Sequence, residues 1–119
     1  MWEIEISEIY EQKLRGFKKK HSDILQALQY NANSYHRLLN EGKNPMQFKK
    51  GGFIHPESYH GLLAVDNRHP GQMHRLGRLY LYPDTNTQTL HFITLGFKKT
   101  QPQDLKVARR YVDKLIRGE

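Results

Sequence analysis

Cysteine is absent from the 119-residue chain. Disulfide frameworks, thiolate metal sites and thiol nucleophiles are excluded with it. Long apolar runs are missing too. The longest aliphatic stretch is Leu62-Leu63-Ala64-Val65, far short of the ~20 residues that a membrane-spanning helix needs. The opening Met1-Trp2-Glu3-Ile4-Glu5 carries acid where a secretory leader carries base. A cytoplasmic protein with no membrane partner is therefore expected. There is no internal repeat, low-complexity tract, Ser-His-Asp arrangement, nucleotide-binding glycine loop or paired-carboxylate signature. Gly51-Gly52 alone marks only a turn.

What is present is enough apolar matter for a modest core and an uneven charge. Hydrophobic residues make up 37% and aromatic residues 11%, too much for a disordered chain. The length suits one domain spanning residues 1–119. Residues 1–42 hold six acids and six bases, whereas residues 43–119 hold thirteen bases and six acids, the whole net charge of +7. Five of the seven histidines (His55, His60, His69, His74 and His91) lie in that second part. Charge of one sign concentrated in one part of a chain suits a polyanion, either nucleic acid or an acidic protein partner.

Trp2-Glu3-Ile4-Glu5-Ile6 alternates apolar and acidic residues, the pattern of a half-buried strand with Trp2, Ile4 and Ile6 on one face. Ser7 can cap a following helix with Glu8 and Glu11 in its first turn, and Tyr10, Leu14 and Phe17 form its stripe. A second helix opens at Ser22-Asp23. Its seam of Leu25, Leu28, Ala32, Tyr35 and Leu39 steps by three and four, and Gly42 is placed to end it from the left-handed region. Two helices joined by a short basic link read as an antiparallel hairpin. Pro45, Gly51-Gly52, Pro56, Gly61 and Pro70-Gly71 leave room for one strand around residues 61–66. Two β-rich runs, 74–82 and 89–97, flank the turn chemistry of Pro83-Asp84-Thr85-Asn86 and predict a hairpin. Thr100 and Gln103 have capping-box spacing with Pro102 in the first turn. Leu105, Ala108, Val112 and Leu115 then give the buried stripe of a last helix, whose other side shows Lys106, Arg109, Arg110 and Arg117. The expected architecture is α+β in the order β-α-α-β-β-β-α, with the helices on one side of a small, largely antiparallel sheet.

The segment Leu95-Gly96-Phe97-Lys98-Lys99-Thr100-Gln101-Pro102, followed by a helix carrying Ala108-Arg109-Arg110, resembles the RelE/HigB-like superfamily of type II toxins, in particular its phage-derived HigB-like branch. The Trp-Glu-Ile strand, the helix hairpin and the strand bearing Arg75, Arg78 and Tyr80 fall in that family's order. The good match covers roughly residues 75–115. In place of the family's Glu-Leu-Arg-like run, this chain has Gly61-Leu62-Leu63-Ala64-Val65-Asp66-Asn67-Arg68. The resemblance implies a metal-independent endoribonuclease that cuts messenger RNA on the ribosome and is paired with an acidic antitoxin. The ribose 2′-hydroxyl attacks the adjacent phosphate, which calls for a base, cations on the phosphate oxygens and a proton donor to the leaving 5′-oxygen.

On that basis the catalytic candidates are Arg75, Arg78, His91 and Lys98, and the RNA-binding candidates are Lys98, Lys99, Tyr80, Arg68, Arg109 and Arg110. Lys98 and Lys99 end a strand beside a helix N-terminus, which already favours an anion. Arg75 and Arg78, three apart on a strand, would point to opposite faces. His91 stands between Leu90 and Phe92, where it suits a hydrogen-bonded core position as well as a base. One of His55, His60, His69 and His74 could act near neutral pH, but the sequence does not single it out. Tyr80 and Tyr82 share a face and could stack on an RNA base or pack on the sheet. The His-x₄-His spacings are not a helical pair and carry no carboxylate motif, so no metal and no cofactor are expected. Two other readings stay open, a non-enzymatic relative on the same fold that inhibits gyrase, and a basic RNA- or DNA-binding domain.

Counterion release sets a first test. RNA affinity should fall on the order of 10–10²-fold between 50 and 200 mM salt if about four Lys/Arg side chains engage phosphates. A titration showing salt-independent affinity would contradict a polyanion-binding face.

Overall fold

A computed structural model describes residues 1–48, 52–68 and 76–119. The chain runs β1 (Glu3–Ile6), α1 (Glu8–Lys20), α2 (Ser22–Asn40), β2 (Ile54–Pro56), β3 (Leu63–Asp66), β4 (Gly77–Asp84), β5 (Thr89–Phe97), a single 3₁₀ turn (Lys98–Thr100) and α3 (Gln101–Ile116). The class is α+β, with five strands in one mixed sheet ordered β1-β5-β4-β3-β2. β1 runs parallel to β5, and the remaining pairs are antiparallel.

Local chemistry explains the helix ends. Ser7 caps α1 by accepting the Tyr10 N–H at 2.9 Å, and its hydroxyl donates to the Ile93 carbonyl at 2.5 Å. That carbonyl belongs to a bulge, because Tyr80 faces Thr94 while Leu81 faces Phe92, leaving Ile93 outside the ladder. One serine thus closes a helix and satisfies an irregular strand. α2 ends in a Schellman arrangement: the Gly42 N–H donates to Leu39 O at 3.0 Å and the Lys43 N–H to Leu38 O at 3.1 Å. Gly42 has φ +86°, where a side chain would be strained.

The whole predicted seam of α2 is buried. It packs with Tyr10, Phe17, Leu63, Val65, Leu79, Leu81, Phe92 and Leu95 into the larger core. The opposite face of the sheet is also covered. Ala64, Tyr80 and Ile93 meet Ala108 and Val112 of α3 in a second apolar cluster. The helices therefore do not share one side as expected: the α1–α2 hairpin lies on one face and α3 on the other. β4 and β5 are apolar at both parities because both their faces are dry.

Other departures are smaller. β2 was not anticipated; it forms a short edge strand next to β3. Ile4 and Ile6 are 40% and 42% exposed, so only Trp2 of the predicted β1 face is buried. Thr100 precedes α3 without capping it. Its hydroxyl instead accepts the Phe97 N–H at 3.1 Å and donates to the Asp104 carboxylate at 2.7 Å, because the 3₁₀ turn shifts the helix start. Within α3 the buried residues are Asp104, Ala108 and Val112, and Leu105 and Leu115 are half-buried.

Leu28 is fully buried under the sheet. Leu28→Ala should cost ~2–5 kcal/mol through a cavity, and Leu105→Ala distinctly less. Denaturant unfolding of both variants checks this ranking.

Candidate functional site

The β2–β3 pairing sets His55 opposite Ala64, and Asp66 lies two residues further along the same face. Such diagonal neighbours are within reach of long side chains. The His55 Nε2 sits 2.7 Å from Asp66 Oδ2. Asp66 is completely buried, while about 30% of the His55 side chain is exposed. The other Asp66 oxygen accepts the Arg68 N–H at 2.8 Å, and Arg68 Nε lies 3.5 Å from Oδ2.

On the next strand Arg78 stands directly opposite Asp66, and on its other side it faces Gly96 of β5. Arg78 is 7% exposed. Its Nε, the Tyr80 hydroxyl and the Thr94 hydroxyl are buried and find no hydrogen-bond partner among the described residues. Tyr80 and Thr94 face each other across β4 and β5, so the three groups follow one another along the α3 face. Buried polar groups of this kind call for a partner from solvent or substrate.

Glu57, just beyond β2, joins the same cluster. Burial pushes its carboxyl above the usual range, and Arg78, His55 and Arg109 pull it back. The turn that follows is strained, with φ of +52° at both Ser58 and His60. Each such non-glycine residue costs roughly 1–2 kcal/mol. Tyr59 between them is pinned from α3: its hydroxyl donates to Asp113 Oδ1 at 2.5 Å, and the Arg109 guanidinium lies 5.4 Å from its ring centre.

α3 lies close to the sheet here because position 96 is glycine; a Cβ there would overlap the Asp104 carboxylate. Beside this contact opens a cleft of about 540 Å³ lined by Lys98, Gln101, Pro102, Leu105, Lys106 and Arg109. Three cations, Lys98, Lys106 and Arg109, ring an apolar floor of Leu105 and Pro102, an arrangement that suits an anionic ligand with an apolar part.

The structure sorts the candidates from sequence. Arg68, Arg78 and Arg109 meet at the cluster, and Lys98 borders it through the cleft; Lys98 and Lys99 are exposed in the 3₁₀ turn. Arg110 is exposed on α3. Arg75, His69 and His74 lie outside the described residues. Tyr80 is corrected: it is completely buried beneath α3, so its ring is not available to stack on a base. His91 is also corrected. It is 3% exposed and sits near Tyr111 (3.4 Å) and Glu5 (3.9 Å). It is also five residues along β5 from Gly96, about 16 Å at ~3.3 Å per residue. Of the two open histidines among the described residues, His55 is paired with a carboxylate, while His60 packs edge-on against Tyr59. Glu57, Tyr59 and Asp66 were missed, since no motif joins them in the chain. Among the described residues no helix is long and apolar enough to cross a membrane.

No family model, curated protein or solved structure matches the chain.

Two measurements follow from these environments. Burial lowers the His91 pKa from its ordinary 6.5, with Glu5 and Asp84 opposing. The unfolded chain therefore takes up this proton first, so His91 contributes stability that is full above pH 6.5 and is lost progressively as pH falls from there through the lowered folded-state pKa. His91→Gln should reduce the drop in Tm between pH 7.5 and 5.5. For Glu57 the sign is reversed, because a carboxyl raised by burial destabilises the fold when charged. Glu57→Gln should hold or raise Tm slightly at neutral pH, and thermal melts decide both cases.

Proposed function

We propose that this chain is the toxin of a type II toxin–antitoxin pair with a RelE/HigB-like domain, a metal-independent endoribonuclease that cuts messenger RNA. On this reading it acts in the cytoplasm on the ribosome and is silenced by an acidic antitoxin. The observation that carries the proposal is the carboxylate-paired His55 at the end of the sheet where Arg78 stands opposite Asp66. It lies within electrostatic reach of Glu57 and near the cleft that Lys98 and Arg109 line. Together these supply the groups that the 2′-hydroxyl reaction needs. The O2′–P bond forms, the P–O5′ bond breaks, one group accepts the 2′ proton and another returns a proton to O5′. His55 and Glu57 are the two proton carriers. Arg78 and Arg109 face the phosphate oxygens as negative charge grows, where fixed donors in a sheltered site act most strongly. Lys98 sets its ammonium on the reacting phosphate from the cleft side, and Lys99 and Arg110 hold the flanking RNA.

A gyrase inhibitor or a plain nucleic-acid-binding domain would need the exposed cations. The partly exposed, carboxylate-paired His55 near Glu57 adds proton-transfer groups that such a role does not call for, which is why the enzymatic reading is preferred.

Lys98→Ala should lower RNA cleavage by ~10²-fold and leave Tm almost unchanged, since exposed lysines add little stability. Arg78→Lys should also lose activity, because an ammonium cannot replace the guanidinium fork. Cleavage assays with melts on both variants test this, and wild-type activity in both would contradict the assignment.

A further inference from the structure

We infer that His55 accepts the 2′-hydroxyl proton through Nδ1, and that Asp66 is the positioning residue that keeps this nitrogen free. The inference rests on the ribonuclease reading above and assigns roles within that site. Asp66 is a fully buried carboxylate. A charge in that position persists only when it is met by donors. Two hydrogen bonds meet it, with the Arg68 backbone N–H and the His55 ring, and the Arg68 guanidinium adds its charge with Nε 3.5 Å away. The contact from His55 is made by Nε2 at 2.7 Å, so Nε2 carries the proton in the neutral ring. Nδ1 then holds the lone pair, on a side chain that keeps about 30% of its surface exposed.

The charged groups at this end of the sheet come from several elements. Asp66, from the end of β3, touches His55 and is met by Arg68. Arg78 of β4 stands opposite Asp66, and Glu57, just after β2, interacts with His55, Arg78 and Arg109 of α3. Asp66 stabilises the imidazolium that forms when Nδ1 takes the proton, and it does not itself become protonated. The proton balance closes. His55 Nδ1 receives the 2′ proton as O2′ bonds to phosphorus, and O5′ takes a proton as the P–O5′ bond breaks, either from the imidazolium just formed or, through Glu57, from solvent.

Asp66→Asn isolates the positioning role. The amide oxygen can keep the Arg68 N–H, but its NH₂ now faces Nε2 and forces the ring proton onto Nδ1. The ¹⁵N signals of the histidine rings, recorded without RNA on the full chain, should show Nε2–H for His55 in the wild type and Nδ1–H in Asp66→Asn. Cleavage of a synthetic mRNA fragment in EDTA should fall ~10³–10⁴-fold in that variant, and adding His55→Ala should cost nothing further. A wild-type ring protonated on Nδ1, or an Asp66→Asn protein with unchanged cleavage, would overturn the inference. If Asp66→Asn does not fold, His55→Ala takes its place. Loss of cleavage restored by added imidazole supports the inference, and undiminished cleavage overturns it. A wild-type chain that cuts no RNA overturns the functional reading instead, and the ring spectra still decide the tautomer separately.

Discussion

The end of the sheet that carries the cluster depends on a charge with nowhere to go. Asp66 is buried to 0% exposure at the last position of β3, and a lone carboxylate there would cost several kcal/mol. Its side chain draws His55 from the edge strand and Arg68 from the following loop, while its backbone carbonyl accepts the Asn31 amide from α2 at 2.8 Å. One residue therefore ties the hairpin side of the sheet to the α3 side. Arg78, directly across the ladder, is fixed by the same register.

The second apolar layer gives this cluster its shelter. α3 meets the sheet through small side chains, Ala108 and Val112, and comes near because Gly96 has no side chain. Its exposed surface then brings Arg109 over Tyr59 and into the rim of the Lys98 cleft. The strained Ser58–His60 turn is held down by the bond from Tyr59 to Asp113. Local strain of this sort is sustained by surrounding contacts and collects at functional sites. A partly dry face, fixed guanidinium groups and one histidine oriented by a carboxylate are what the proposed phosphate chemistry asks of a protein.

The α2 seam and the β4–β5 hairpin were legible because each buries a full period, and neither has a rival pattern. β2 was not: three residues ending in proline carry no periodicity. The side on which α3 packs was hidden for a different reason, since an amphipathic stripe does not say which face of a sheet it will cover. The signal lay in the strands. Leu79-Tyr80-Leu81 and Leu90-His91-Phe92-Ile93 are apolar at both parities, which marks strands covered on both faces. Within the site, the basic late segment was visible as charge, and Arg78 and Lys98 as members of a resembling motif. His55 and Asp66 stand eleven residues apart and become partners only when β2 adds to β3, so the pairing could not be read before the strand was known. Tyr80 and His91 looked available as lone residues, and only the covering helix makes them interior.

The central claim is that the cluster breaks RNA through its own 2′-hydroxyl, with protons moved by side chains. The most direct measurement is the chemistry of the new ends. A synthetic mRNA fragment incubated with the purified chain in EDTA should yield 2′,3′-cyclic phosphate on one side of each cut and a free 5′-hydroxyl on the other. The same fragment with its 2′-oxygens methylated should stay intact. Cleavage of the methylated RNA, or products bearing a 5′-phosphate, would contradict it.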